Sequence, residues 1–340
     1  GYLEISFAWL FALIVGAFIL FLAIYFSMSI INQGQTGQDA QTGKNLGILL
    51  NPLEIGFESG VSTLFDFPVD TRIYASCSNS GDFGKQYIRI SQKSFNKWTE
   101  TNIKVPFQNK YIFADIPIEG KNFLVFSKPF EMPFKVADLI YLIPVEEKYC
   151  FEDAPEYIEN EIKTLSKGNL FYENCTENII KVCFSSGSNC DIRVDYEEGS
   201  FDDTENGKFS APFKTGNFEG EGKGYVEKNN SRVVFEGDAL MYAAIFSDAE
   251  TYECNLKRLM NRLGKLAKVY EDKADIITGK CDTNLKPDLN VLMSTAKSFE
   301  SSSNLPSIKI NSDNVKDKND DNQNCKLWLA ENSSLVRSLE

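Results

Sequence analysis

The sequence predicts an α+β protein with a long N-terminal hydrophobic helix, an antiparallel β-rich ectodomain and a C-terminal helical hairpin. Three observations carry this expectation. Phe7 to Phe26 is a run of twenty residues without a charge. Residues 46–237 consist mainly of short β-branched and aromatic runs broken by Gly, Asn, Asp and Pro. From Asp238 onward the apolar residues recur at spacings of three and four.

Taken in order, the first element spans residues 1–31. A twenty-residue helix rises about 30 Å, the thickness of a bilayer core. A secretory signal would have a shorter apolar core behind a basic start. Residues 32–45, NQGQTGQDAQTGKN, are polar and Gly-rich and read as a linker. The third unit, 46–237, carries the strand patterns GILL, RIYAS, QYIRIS, KYIFADI, NFLVFS, LIYLIPV, IIKVCF, DIRVDY, GYVEK and RVVFEG. One helix interrupts them, with Asp153 as N-cap, Tyr157, Ile158, Ile162 and Leu165 on one face, and Gly168 as the stop.

The fourth unit, 238–340, opens with Ser247 and Glu250 in capping-box spacing. Leu256, Leu259, Leu263, Leu266, Tyr270, Ala274 and Ile277 follow at helical spacing. A second helix is expected after Pro287, with Leu289, Leu292, Ala296 and Phe299 facing inward. The polar segment 311–324 reads as a loop without a core, and a last helix is expected from Cys325 through Trp328 to Leu339.

Composition narrows the function. The formal charge is −13, with no basic stripe to neutralise phosphates, so nucleic acid is not an expected partner. Histidine is absent, which removes Ser-His-Asp triads, Cys-His pairs and His-ligated metals. No enzyme, cofactor or metal site is therefore expected. The acidic stretches Asp317 to Asp321 and Asp202 to Gly207 lack the twelfth-position Glu of a calcium loop and read as solvated loops. Gly220 to Gly224, GEGKG, reads as a hairpin turn.

Eight cysteines without a CxxC pair suit disulfides in an oxidising compartment. Cys183 and Cys190 flank a loop that could close a hairpin. Cys254 and Cys281 bracket a continuous helical pattern, about 40 Å apart at helical rise, and so cannot join. The remaining expectations are Cys254 with Cys325, Cys150 with Cys175, and Cys77 with Cys281. The sequons at Asn174, Asn229 and Asn332 are candidate glycosylation sites and fit an exterior location.

Within the first helix, Glu4, Ala8, Ala12 and Gly16 fall on one i to i+4 ridge, continued by Ala23. Small residues in register let helix backbones approach closely. An acid in hydrocarbon costs about 2.5–3.5 kcal/mol on insertion scales, so Glu4 needs a partner or a place at the membrane edge.

This N-terminal pattern, EISFAWLFALIVGAFILFLAIYF with an acid in its first turn, resembles the type IV pilins, specifically archaeal pilin-like proteins with class III signal peptides. It is also similar to the start of uncharacterised surface proteins of small symbiotic archaea. The resemblance covers about the first 30 residues. It implies cleavage of a basic leader before Gly1, residence in the membrane before assembly, and a filament whose core is built from copies of this helix. The family's acid is the fifth residue after the cut; here it is Glu4. The resulting expectation is a structural subunit of an extracellular filament that contacts host or neighbouring cell surfaces. The alternative is an anchored adhesin or binding protein that never assembles.

Overall fold

The computed structural model describes residues 9–27, 62–94, 97–99, 104–172, 175, 179–185, 189–197, 222–277, 284–322 and 325–329. Helix α1, Trp9–Ser27, is the apolar N-terminal element. The rest is built from two mixed sheets, five further α-helices and a short 3-10 helix among the described residues.

The first sheet has the order β3-β2-β1-β6-β7-β5, with β4 also pairing β2. Its strands are β1 (Ser62–Ser78), β2 (Lys85–Ser94), β3 (Lys97–Trp98), β4 (Val105–Phe107), β5 (Tyr111–Phe113), β6 (Ile118–Glu131) and β7 (Lys135–Pro144). The second has the order β13-β12-β11-β10-β8-β9. It comprises β8 (Tyr149–Glu152), β9 (Leu170–Phe171), β10 (Ile180–Cys183), β11 (Ile192–Glu197), β12 (Lys223–Lys228) and β13 (Ser231–Glu236).

Nine of the sequence-predicted runs contribute to strands, and the tenth, GILL, lies outside the described residues. Their pairing departs from the antiparallel expectation. β5 runs parallel to β7, and β8 runs parallel to both β9 and β10. Helix α2, Glu156–Leu165, carries the chain from β8 to β9 and permits that parallel return. β10 and β11 are also parallel, so Cys183 and Cys190 are joined across a loop between parallel strands and not across a hairpin.

The helices are set by local capping and by burial. Pro155, and not Asp153, occupies the N-cap of α2, and Asp153 instead accepts a hydrogen bond from Ser185. Helix α3, Asp238–Phe246, is buried on every side. It touches β6 and β7 of one sheet and β12 and β13 of the other. Its lack of an amphipathic period follows from that position. Helix α4, Ala249–Ile277, is capped by Asp248, whose carboxylate accepts from the Thr251 backbone N–H at 2.8 Å. Ser247, the expected cap, instead donates its hydroxyl to the Ala243 carbonyl at 2.6 Å.

Helix α5, Lys286–Lys297, buries Leu289, Leu292 and Ala296. Its contacts with α4 include Asp275 with Lys286, Glu271 with Asn290, and Gly264 close to Met293 and Ala296. Helix α6, Leu305–Asp321, occupies most of the segment expected to be a polar loop. Ile308, Ser312, Val315 and Asn319 supply one buried face at spacings of three and four, with Leu305 one turn earlier. Asp317 to Asp321 therefore lies on a helix. Residues 325–329 are not helical, contrary to the expected terminal helix, and Asn319 pins them by accepting from the Leu327 N–H at 2.8 Å. In the GEGKG stretch, Lys223 and Gly224 belong to β12 and are not turn residues.

One contiguous apolar core includes Phe126 and Tyr141 of the first sheet, Val194 and Phe235 of the second, residues 239–246 of α3, and Leu256, Leu292 and Ile308 of the last helices. A second cluster, with Ile73, Ile90, Phe123 and Leu142, lies on the opposite face of the first sheet. Strands β6 and β7 are thus buried on both faces, which explains their nearly unbroken apolar sequences.

Helix α4 is fastened to the first sheet by polar groups. The Arg258 guanidinium is fully buried and donates to the Lys110 and Gln108 carbonyls at 3.0 Å and to Asn255 Oδ1 at 2.8 Å. It also lies 4.6 Å from the Tyr111 ring centre. Asn255 donates to the Ile112 carbonyl, and Gln86 bonds both backbone groups of Ile112.

The disulfide Cys77–Cys254 lies beside this network, so Cys254 does not pair with Cys325, nor Cys77 with Cys281. The physical reason is that the first turns of α4 dock on the end of β1, whereas Cys325 follows α6. Cys150–Cys175 and Cys183–Cys190 form as expected. Cys325 is also disulfide-bonded, and Cys281 lies outside the described residues.

Replacing Arg258 by Met should cost about 3–5 kcal/mol, because several buried carbonyls lose their donor together. Arg258→Lys should recover only part of this, since an ammonium cannot reproduce the planar fork. Thermal melts of the three proteins at matched detergent concentration check the ranking. Non-reducing peptide mapping should recover a Cys77–Cys254 cross-linked pair.

Candidate functional site

Two regions stand apart from ordinary core packing. The first is helix α1. Its 19 described residues contain a stretch with a mean hydropathy of 2.6, none of it buried, so it is long and apolar enough to cross a membrane. Ala12, Gly16 and Ala23 fall within about 40° of one another at 100° per residue. A Cβ placed on Gly16 meets nothing within 4 Å, so the glycine faces open space. Trp9, Phe11, Phe18, Phe21 and Phe26 project from the helix, each about 60 % exposed. Glu4 and Ala8, the other expected packing residues, lie outside the described residues.

Of the three sequons, Asn174 and Asn332 also lie outside the described residues. Asn229 is exposed at the tip of the β12–β13 hairpin. It and Asn230 have φ of 50° and 60°, the left-handed pair of a type I′ turn. Among the described residues no group of three or more Cys, Asp or Glu side chains could hold a metal ion.

The second region is a cleft of about 100 Å³ where the β6–β7 turn, the β13–α3 junction and α6 meet. Gly237, with φ of 83°, turns the chain sharply from β13 into α3 and donates its N–H to the Gly222 carbonyl at 2.7 Å. That turn places Glu236 and Asp238 together on the cleft wall. Pro129, Phe130, Met132 and Pro133 form the apolar side, and Lys309, Ser312 and Asp313 of α6 the other.

The charges in and around the cleft differ in how they are held. Lys128 Nζ contacts both Glu161 oxygens, at 2.6 and 2.8 Å, and Glu161 also accepts from the Tyr242 hydroxyl at 2.9 Å. Burial, aided by Glu161, pushes the Tyr242 phenol well above its ordinary range. Asp238 Oδ1 accepts from Tyr196 at 2.9 Å and Tyr157 at 3.3 Å, and those two hydroxyls also contact each other. Lys309 pairs with Asp313 at 2.5 Å.

Glu236 is 8 % exposed, and its side chain makes no hydrogen bond or ion pair among the described residues. Burial raises its pKa, opposed by the positive charges of Lys309 and Lys223. The cleft supplies a carboxylate beside an apolar wall, an arrangement suited to binding.

The sequence reading singled out none of these cleft residues. Glu236 ends the alternating strand RVVFEG at a position that would face water on an uncovered sheet; α6 covers it. The local hint was a Gly-Asp step directly after a strand, which marks an abrupt entry into a helix.

Because the folded state raises the Glu236 pKa, it binds that proton more tightly than the unfolded chain. The stability contribution of its protonated form is complete below the ordinary glutamate range and is lost as pH rises through the folded pKa. Glu236→Gln should therefore raise Tm at neutral pH, with the gain shrinking toward zero near pH 4, about the unperturbed glutamate value. Thermal melts across that range check the sign. Comparison of the chain with protein-family models, curated proteins and solved structures finds no match.

Proposed function

We propose that this chain is a structural, non-catalytic subunit of an extracellular type IV pilus-like filament. Its N-terminal helices pack together as the core, and the disulfide-bonded body decorates the outside. The observation that carries this reading is α1: a membrane-length helix, apolar on every face, whose side chains are exposed. Such a surface requires a bilayer or copies of itself.

The small-residue stripe of Ala12, Gly16 and Ala23 supports close helix approach, with Ala8 extending it and Glu4 setting register. Three disulfides among the described residues support an oxidising exterior. In this reading the α4 and α5 helices form a hairpin bracing the body, and Asn229 is a glycosylation acceptor on its surface. Residence in the membrane precedes assembly.

The second reading is a non-assembling, membrane-anchored binding protein. It is favoured by a ladder of stacked aromatic and basic side chains on β1–β3, Arg72 over Trp98 at 4.2 Å and Arg89 over Tyr74 at 4.0 Å, which would face another cell surface.

Electron microscopy of sheared surface material, with N-terminal mass spectrometry, separates the two. A filament subunit is released by shear and pellets, whereas an anchored protein needs detergent. Gly16→Leu should abolish filaments while leaving the near-ultraviolet circular dichroism of the body unchanged. Normal filaments from that variant would rule out close packing at Gly16.

A further inference from the structure

We infer that the cleft between the β6–β7 turn, the β13–α3 junction and α6 binds a guanidinium or ammonium group carried on a slender aliphatic stem. Glu236, a residue 8 % exposed on the cleft wall, presents a carboxylate without a side-chain hydrogen bond or ion pair among the described residues. Buried carboxylates are ordinarily paired, because desolvating an uncompensated charge is costly. The two cations whose charge acts on it are held elsewhere, Lys309 by Asp313 at 2.5 Å and Lys223 by Glu197 at 3.6 Å; of the other lysines on the cleft wall, Lys128 is held by both oxygens of Glu161 and Lys316 also engages another group. Asp238 accepts from two tyrosines instead of competing for a cation from outside.

Size and wall chemistry select the ligand. About 100 Å³ suits one planar or tetrahedral cationic head with part of its stem. Phe130, Met132 and the two flanking prolines offer an apolar surface for methylenes, the way long basic side chains bury their stems while keeping the charge solvated or paired. Of the four acids lining the cleft, Glu131, Glu236, Asp238 and Asp313, no three are grouped closely enough to hold a metal ion, so an organic cation fits the donor set better. A guanidinium would engage Glu236 through a charge-assisted hydrogen bond. No residue of α1 lines the cleft.

The test is calorimetric titration of the full chain in detergent micelles with n-butylguanidinium and, separately, with the tripeptide Gly-Arg-Gly. Saturable binding is expected for wild type and a loss of about tenfold or more for Glu236→Gln, since the charge is what the ligand reads. Lys309→Met, which removes a competing cation near Glu236, should bind more tightly, and it keeps the question open to decision if Glu236→Gln folds poorly. Binding of n-butylguanidinium alone assigns a small free amine or guanidine as ligand; binding of the tripeptide as well assigns a basic side chain of another polypeptide. Equal affinity in wild type and Glu236→Gln, or no saturable binding in either wild type or Lys309→Met, overturns the assignment.

Discussion

The buried guanidinium of Arg258 is the interaction on which the arrangement of this protein turns. It heads the largest fully buried side chains among the described residues, and it faces backbone carbonyls and a tyrosine ring instead of a carboxylate. Burial lowers its pKa, yet an arginine starts high enough to stay charged. A charge in that place is tolerable only while the carbonyls of Gln108 and Lys110 and the Asn255 side chain surround it. The network therefore specifies one docking of α4 on the first sheet. Gly84 belongs to the same constraint: at φ of 59°, a Cβ there would lie 2.5 Å from the Ser78 carbonyl oxygen and 2.8 Å from Arg258 Cγ.

Once α4 is placed, the remaining layers follow. α3 precedes it by two residues and fills the space between both sheets with Leu240, Met241, Ile245 and Phe246. Phe246 packs edge-on against Phe126 and Tyr149, so one residue links strands of the two sheets. Fully burying a side chain of this class contributes about 1.5–3 kcal/mol, so a helix buried on all sides is a large part of the core. The cleft opens at the entrance to this helix, where Gly237 turns the chain, and its one unpaired acid is a local cost that the surrounding core is large enough to carry.

The N-terminal helix obeys different physics from the body. The body closes its apolar surface internally, whereas α1 leaves its apolar surface exposed to whatever surrounds it. This contrast, together with the crosslinks of the body, is what any account of function has to accommodate.

The sequence by itself determined the features governed by near neighbours. The strands NFLVFS and LIYLIPV, the helix faces around Leu256 and Leu289, and the membrane-length run were legible because periodicity is a local property. The Cys183–Cys190 bridge was legible because it closes a short loop, whereas Cys150–Cys175 was reached only as a remaining pair. Of the packing stripe, Ala12, Gly16 and Ala23 could be placed on one helix face, but no partner across it. Tertiary structure alone decided the parallel pairing of β8, β9 and β10, the Cys77–Cys254 bridge across 177 residues, and the burial of one face of polar α6. It also decided that Glu236 would sit beneath a helix. Each of these depends on which distant surface the chain meets, and a residue's spacing from its neighbours carries no record of that meeting.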